Sequence, residues 1–178
     1  MGTNAGRSTQ YCVLYTQHPN MKTSKPILLA VAFTALALLG AGLYMQHVKD
    51  LQPCPWCVIQ RYAFSAVALI CLIAAALPRG AAKVGAGLGM LAALSGAGAA
   101  SWHVWILAHP AVSCGIDPME TSLNTFFTAK LLPFLYVANG FCTTPHDPIL
   151  GLLIPQWALL WFVVFAIALG LAAFKRAR

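Results

Sequence analysis

Pro53-Cys54-Pro55-Trp56-Cys57-Val58-Ile59-Gln60-Arg61 opens the run Val58–Leu77, in which Arg61 is the one charged residue. A stretch of about 20 apolar residues is long enough to cross a bilayer as a helix. Proline suits the first turn of a helix, where its missing N–H costs nothing. The pattern therefore predicts a membrane helix that begins near Pro55, with Cys57 in its first turn and Arg61 one turn further in, on the same face.

Three more runs share this character: Ile27–Gln46, Val84–Leu107 and Leu152–Phe174 contain no Asp, Glu, Lys or Arg. Backbone polar groups in lipid must be satisfied within the segment, so all four runs are expected to be helices. Of the 178 residues, 60% are hydrophobic and only 8% charged, against about a quarter charged in soluble domains. The net charge of +7 does not indicate nucleic-acid binding, because the bases flank apolar runs and form no basic amphipathic face. No outer-membrane barrel alternation is present. The expected fold is an all-α membrane protein: an antiparallel four-transmembrane-helix bundle with a long second outer loop that carries a short interfacial helix.

Orientation follows from Lys and Arg near the helix ends. Arg7, Lys22 and Lys25 precede the first run, Arg79 and Lys83 lie between the second and third, and Lys175, Arg176 and Arg178 follow the fourth. These regions share one side, which is expected to be cytoplasmic. The opposite loops hold only Lys49 and Lys130, with all four acids, Asp50, Asp117, Glu120 and Asp147. Cys54, Cys57, Cys114 and Cys142 then face outward, toward an oxidising periplasm in a bacterial cell. Cys12 faces inward as a free thiol, and Cys71 lies mid-membrane as a small apolar residue.

The chain divides into a cytoplasmic tail (1–26), the membrane domain (27–174) and a short cytoplasmic tail (175–178). Met1–Asn20 is polar with no apolar core, unlike a cleavable signal. It is expected to be a disordered tail or an over-extended gene start, since Met21-Lys22-Thr23-Ser24-Lys25 is a more natural membrane-protein beginning. The second outer loop, about Ala108 to Gly151, contains the apolar segment Phe126–Tyr136, too short to span and suited to lying on the outer leaflet. In the third run, Gly85 and Gly89, Ser95 and Ala99, and Gly96 and Ala100 each stand four apart, a spacing that lets helices approach closely in lipid.

The chemistry centres on sulfur. A thiolate is the reactive form of cysteine, and both a helix N-terminus and a nearby cation favour it. Cys57 has both, in the helix start and Arg61. A zinc half-site and a structural disulfide are the alternatives for Cys54 and Cys57. Snorkelling to the headgroups is the alternative for Arg61. Cys114 and Cys142 share the long loop; joined, they would staple it with about 3–4 kcal/mol in the chain-entropy model, or pass electrons to the first pair by thiol–disulfide exchange. His103 is a packed interfacial residue or a participant in the site. His47, His109 and His146 fit no zinc template. Trp102, Trp105, Trp157 and Trp161 suit an interfacial aromatic belt.

With these residues placed, the chain resembles the DsbB family, disulfide bond formation protein B, from about Met21 onward. The likeness lies in Phe33–Leu38, Gln46-His47-Val48, Pro53-Cys54 through Cys57 with Arg61, Gly140-Phe141-Cys142, Leu150-Gly151-Leu152 and Pro155-Gln156-Trp157. The resemblance implies a protein-dithiol:quinone oxidoreductase of the bacterial inner membrane with both termini cytoplasmic. It implies disulfides Cys54–Cys57 and Cys114–Cys142, ubiquinone or menaquinone as cofactor, no metal, and a periplasmic DsbA-like partner. Residue by residue, Cys114 looks like the cysteine attacked by the reduced partner protein and Cys142 like its mate. Cys54 looks like the thiol that exchanges with the loop pair, and Cys57 like the thiol that meets the quinone. Arg61 and His103 look like quinone-site residues. One departure is Leu107, where a Gln stands in the best-known member. Vitamin K epoxide reductase-like enzymes are similar in type, but there the C-x-x-C follows the loop cysteines, whereas here it precedes them. The reading from a different class is a membrane metal-binding or scaffold protein.

Overall fold

The computed structural model describes residues 25–109, 118–141 and 148–174. Four long helices form the body: α1 (Lys25–Val48), α2 (Pro55–Ala76), α3 (Arg79–Ala108) and α7 (Ile154–Phe174). All four are long and apolar enough to cross a membrane. The expected four-helix membrane bundle is the observed architecture. α3 packs against both α2 and α7, and α1 lies mainly against α2.

The helix ends follow local rules. Cys54 is the N-cap of α2, with Pro55 in the first turn, and its sulfur accepts a bond from the Cys57 amide. Pro78 caps α3, so this helix begins directly after the proline. α1 ends near Asp50, whose φ of 53° is a left-handed conformation that Asp tolerates better than most residues. Its carboxylate accepts from the Gln52 amide at 2.9 Å.

Small residues on α3 permit the close packing. A Cβ on Gly85 would sit 2.3 Å from the Ala74 side chain of α2, and one on Gly96 would meet the Phe162 ring of α7 at 2.4 Å. These glycines bring both neighbours in, while Ser95 stands exposed, its hydroxyl bonded back to the Ala92 carbonyl. Phe162, Phe165, Leu28, Leu169 and Val67 fill the core, with Phe64 and Phe162 stacked at 4.1 Å.

The long connection folds over one end of the bundle as three short helices, α4 (Pro118–Thr125), α5 (Phe127–Leu131) and α6 (Pro133–Tyr136). The single helix expected over Phe126–Tyr136 is split. Pro133 has no N–H to continue α5 and starts a new turn, while Leu132 between them leaves helical geometry. Phe126, Phe127, Leu131 and Phe134 remain exposed, the apolar surface expected of an interfacial segment.

Candidate functional site

The site lies at the end of the bundle covered by this connection. Cys54 and Cys57 are brought together by the first turn of α2, their sulfurs 3.0 Å apart with Cys54 as donor. Cys54 is buried and Cys57 half-buried. From α3, buried His103 points its Nε2 at Cys54 Sγ, 3.6 Å away. Behind the ring, the Gln60 amide nitrogen donates to His103 Nδ1 at 3.3 Å. Gln60 and His103 are the buried polar side chains among the described residues, 5% and 4% exposed. His103, read from the sequence as a packed residue or, by resemblance, a quinone-site residue, lies beside the dithiol. Gln60 went unnoticed in the sequence, although an uncharged polar residue in an apolar span was the available signal.

Arg61 lies one turn in from Cys57, as its spacing requires, but its guanidinium is held by oxygens. It donates to Gln46 Oε1 at 2.6 Å, to the Leu135 carbonyl at 3.0 Å and to the Gly42 carbonyl at 3.4 Å. It thereby ties α1, α2 and the loop together. A side chain reaching for headgroups would not be fixed by three partners within the fold.

Further ties hold the loop on α2. Tyr62 and Tyr136 stack at 4.2 Å. Tyr136 donates to Ser65 Oγ at 2.7 Å, and the Tyr62 hydroxyl bonds Thr128. Asn124 clasps both backbone groups of Ala138 at 2.9 Å. The amides of Asn139 and Gly140 then donate to the Pro53 carbonyl, at 3.1 and 3.0 Å. The chain leading out of the loop is thus docked on the residues leading into Cys54. Cys114 and Cys142 themselves, like Cys12 and His146, lie outside the described residues, so their expected roles are not placed.

A cavity of about 180 Å³ opens beside the dithiol. Its walls come from all four long helices: Leu38, Gly42 and Met45 of α1, Phe64 of α2, Leu107 of α3, and Ala158 and Trp161 of α7. Polar side chains on its lining include Cys54, Cys57, Gln60, Arg61 and His103, with Gln52 near the loop. Apolar walls with a few convergent polar groups are the general form of a small-molecule site. Such a cavity suits a flat, neutral ring with carbonyl oxygens and an apolar tail, which is the chemistry of a quinone. Leu107 on its wall offers no side-chain hydrogen bond.

The donor atoms of Cys54, Cys57 and His103 all lie within 4.8 Å of one another. One soft cation could bridge them, so geometry alone leaves the metal alternative standing. Trp56, Trp102 and Trp105 extend outward from the site, Trp102 and Trp105 stacked at 4.9 Å and exposed. Of the four tryptophans expected in an interfacial belt, Trp102 and Trp105 are thus exposed, whereas Trp157 and Trp161 are half-buried and line the cavity.

Comparison with known proteins bears on the choice. The family model described as Disulfide bond formation protein DsbB matches residues 24–172. Among curated relatives, a Disulfide bond formation protein B of Herminiimonas arsenicoxydans is 60% identical over 88% of this chain and 99% of its own. A protein of the same name from Ralstonia nicotianae is 44% identical, over 87% of this chain and 97% of its own. Disulfide bond formation protein B 1 of Pseudomonas syringae pv. syringae is 45% identical over 83% and 88%.

Proposed function

Because the chain belongs to the DsbB family, we propose that it reoxidises a periplasmic DsbA-like protein and passes the electrons through two cysteine pairs to a membrane quinone. The thiol-oxidising activity is that of the family. The partner, the quinone and the roles of individual residues are assigned as follows.

The basic flanks put both termini in the cytoplasm and the loop end in the periplasm of the inner membrane. Cys114 and Cys142 accept two electrons from the reduced partner by thiol–disulfide exchange. Cys54 exchanges with this loop pair, which is supported by the docking of Asn139 and Gly140 on the Pro53 carbonyl. Cys57 faces the cavity and delivers the electron pair there. A bound ubiquinone or menaquinone supplies a two-electron, two-proton acceptor. Arg61 and His103 would hold it, the guanidinium offering N–H groups to an oxygen and the ring bounding the cavity beside the sulfurs.

The observation that carries this reading is the Cys54–Cys57 pair, at 3.0 Å, opening onto an apolar cavity with Arg61 and His103 on its wall. The test is quinone reduction by the purified protein with a reduced DsbA-like donor. Cys57→Ser abolishes quinone reduction and leaves the loop disulfide able to form. Normal turnover in this variant would remove the proposed role. The bridging distances of Cys54, Cys57 and His103 favour one other reading, a soft-metal centre. Stoichiometric metal in the active protein would support it, and electron transfer to quinone by metal-free protein would exclude it as the main role.

A further inference from the structure

Resting on that reading, we propose that Gln60 is a positioning residue: it fixes the proton of His103 on Nε2, so that the ring donates a hydrogen bond to the Cys54 sulfur. An amide nitrogen can only donate. Its contact with His103 Nδ1 at 3.3 Å makes Nδ1 the acceptor, and a neutral imidazole then carries its proton on Nε2. That nitrogen faces Cys54 Sγ at 3.6 Å. The same sulfur receives the Cys57 backbone N–H at 3.4 Å. Two N–H groups, from α2 and α3, therefore converge on Cys54.

The arrangement answers a need of the relay. After a mixed disulfide forms between Cys54 and a loop cysteine, the second loop thiolate attacks the loop sulfur. One S–S bond forms within the loop and the bond to Cys54 breaks. Cys54 leaves with the electron pair as a thiolate, and the charge passes from the attacking sulfur to Cys54. The Nε2–H and the Cys57 amide stabilise that charge with no proton transfer, because the ring keeps its proton throughout. With the opposite tautomer, a lone pair would face the departing thiolate and repel it. Burial of both Gln60 and His103 keeps water from replacing the bond, since an unpaired buried polar group is costly.

Nitrogen-15 NMR of the full chain, labelled at histidine, reads the tautomer directly, with the His103 signal identified by its loss in His103→Phe. The wild type shows the Nε2–H form. Gln60→Met, which keeps the length of the side chain without the donor, shows a mixture of the two. In turnover, Gln60→Met lowers kcat for thiol oxidation roughly ten-fold, about one hydrogen bond to a charged group, a larger change than any in the quinone KM. A wild-type Nδ1–H form would overturn the proposal. So would a Gln60→Met variant with the wild-type tautomer, or one whose only change is in quinone KM, which would make Gln60 a mere part of the cavity wall. The tautomer is read without turnover, so it stands or falls separately from the Cys57→Ser result that tests the relay.

Discussion

The Gly140 amide donates to the Pro53 carbonyl at 3.0 Å, one residue before Cys54. The contact needs glycine. A Cβ at position 140 would lie 2.2 Å from the Gln52 carbonyl oxygen and 3.1 Å from the Pro53 carbonyl carbon, both backbone atoms that cannot rotate away. The loop end is thereby set against the entrance to the dithiol. Gly140→Ala should push it off, and thiol exchange should slow by roughly ten-fold or more, about the 1–3 kcal/mol of an overpacked contact. The quinone KM should hardly change. Stopped-flow oxidation of a reduced DsbA-like donor checks this, and a wild-type rate would mean that the docking plays no part in exchange.

Arg61 bridges three elements through Gln46, Gly42 and Leu135. Arg61→Ala should raise the quinone KM about ten-fold, the loss of one charged hydrogen bond, and loosen the loop toward limited proteolysis. Arg61→Lys should restore little of either, because a compact ammonium cannot span the same set of oxygens as a planar fork. Steady-state quinone titration and protease digestion measure the two effects. Unchanged quinone affinity in Arg61→Ala would return this residue to a purely structural role.

The bundle was readable because charge-free runs of bilayer length leave few choices, and Pro55 marked the start of α2. The Cys54–Cys57 pair needed no tertiary information, since one helical turn joins it. His103 and Gln60 are different. Their contact depends on how α2 and α3 are rotated against each other, and that is set by which glycines, Gly85 among them, admit a neighbour. Leu135 as a partner of Arg61 has no sequence signature at all, because the acceptor is a backbone carbonyl left available at the end of the four-residue helix α6. The break at Pro133 could have been read, since proline lacks the N–H that the helix required; the apolar run of Phe126–Tyr136 obscured it.

Cys71 is fully buried in the core between α2 and its neighbours, far along the helix from Cys57. Its sulfur packs beside Gly89 of α3, 3.4 Å from where a Cβ would stand. It should therefore act through packing alone. Cys71→Ala should cost roughly 1 kcal/mol for the small cavity left and leave turnover at the wild-type rate. Thermal unfolding in detergent with a parallel quinone-reduction assay separates the two. A severe loss of activity in a well-folded Cys71→Ala protein would mean that the sulfurs have been assigned wrongly.

Gly96 and Gly98 form a matched pair for testing how α3 packs. A Cβ on Gly96 would enter the Phe162 ring, at 2.4 to 2.7 Å from three of its carbons, whereas Gly98 has nothing within 4 Å. Phe162 cannot easily give way, because it is fully buried and stacked on Phe64 at 4.1 Å. Gly96→Ala should destabilise the bundle by about 1–3 kcal/mol as overpacking separates α3 from α7. Gly98→Ala should be as stable as wild type or up to about 1 kcal/mol more so, because alanine is the better helix former and meets nothing there. Denaturant unfolding in the same micelle compares them directly. Equal damage from the two would contradict the helix rotation, and with it the placement of His103 against Cys54.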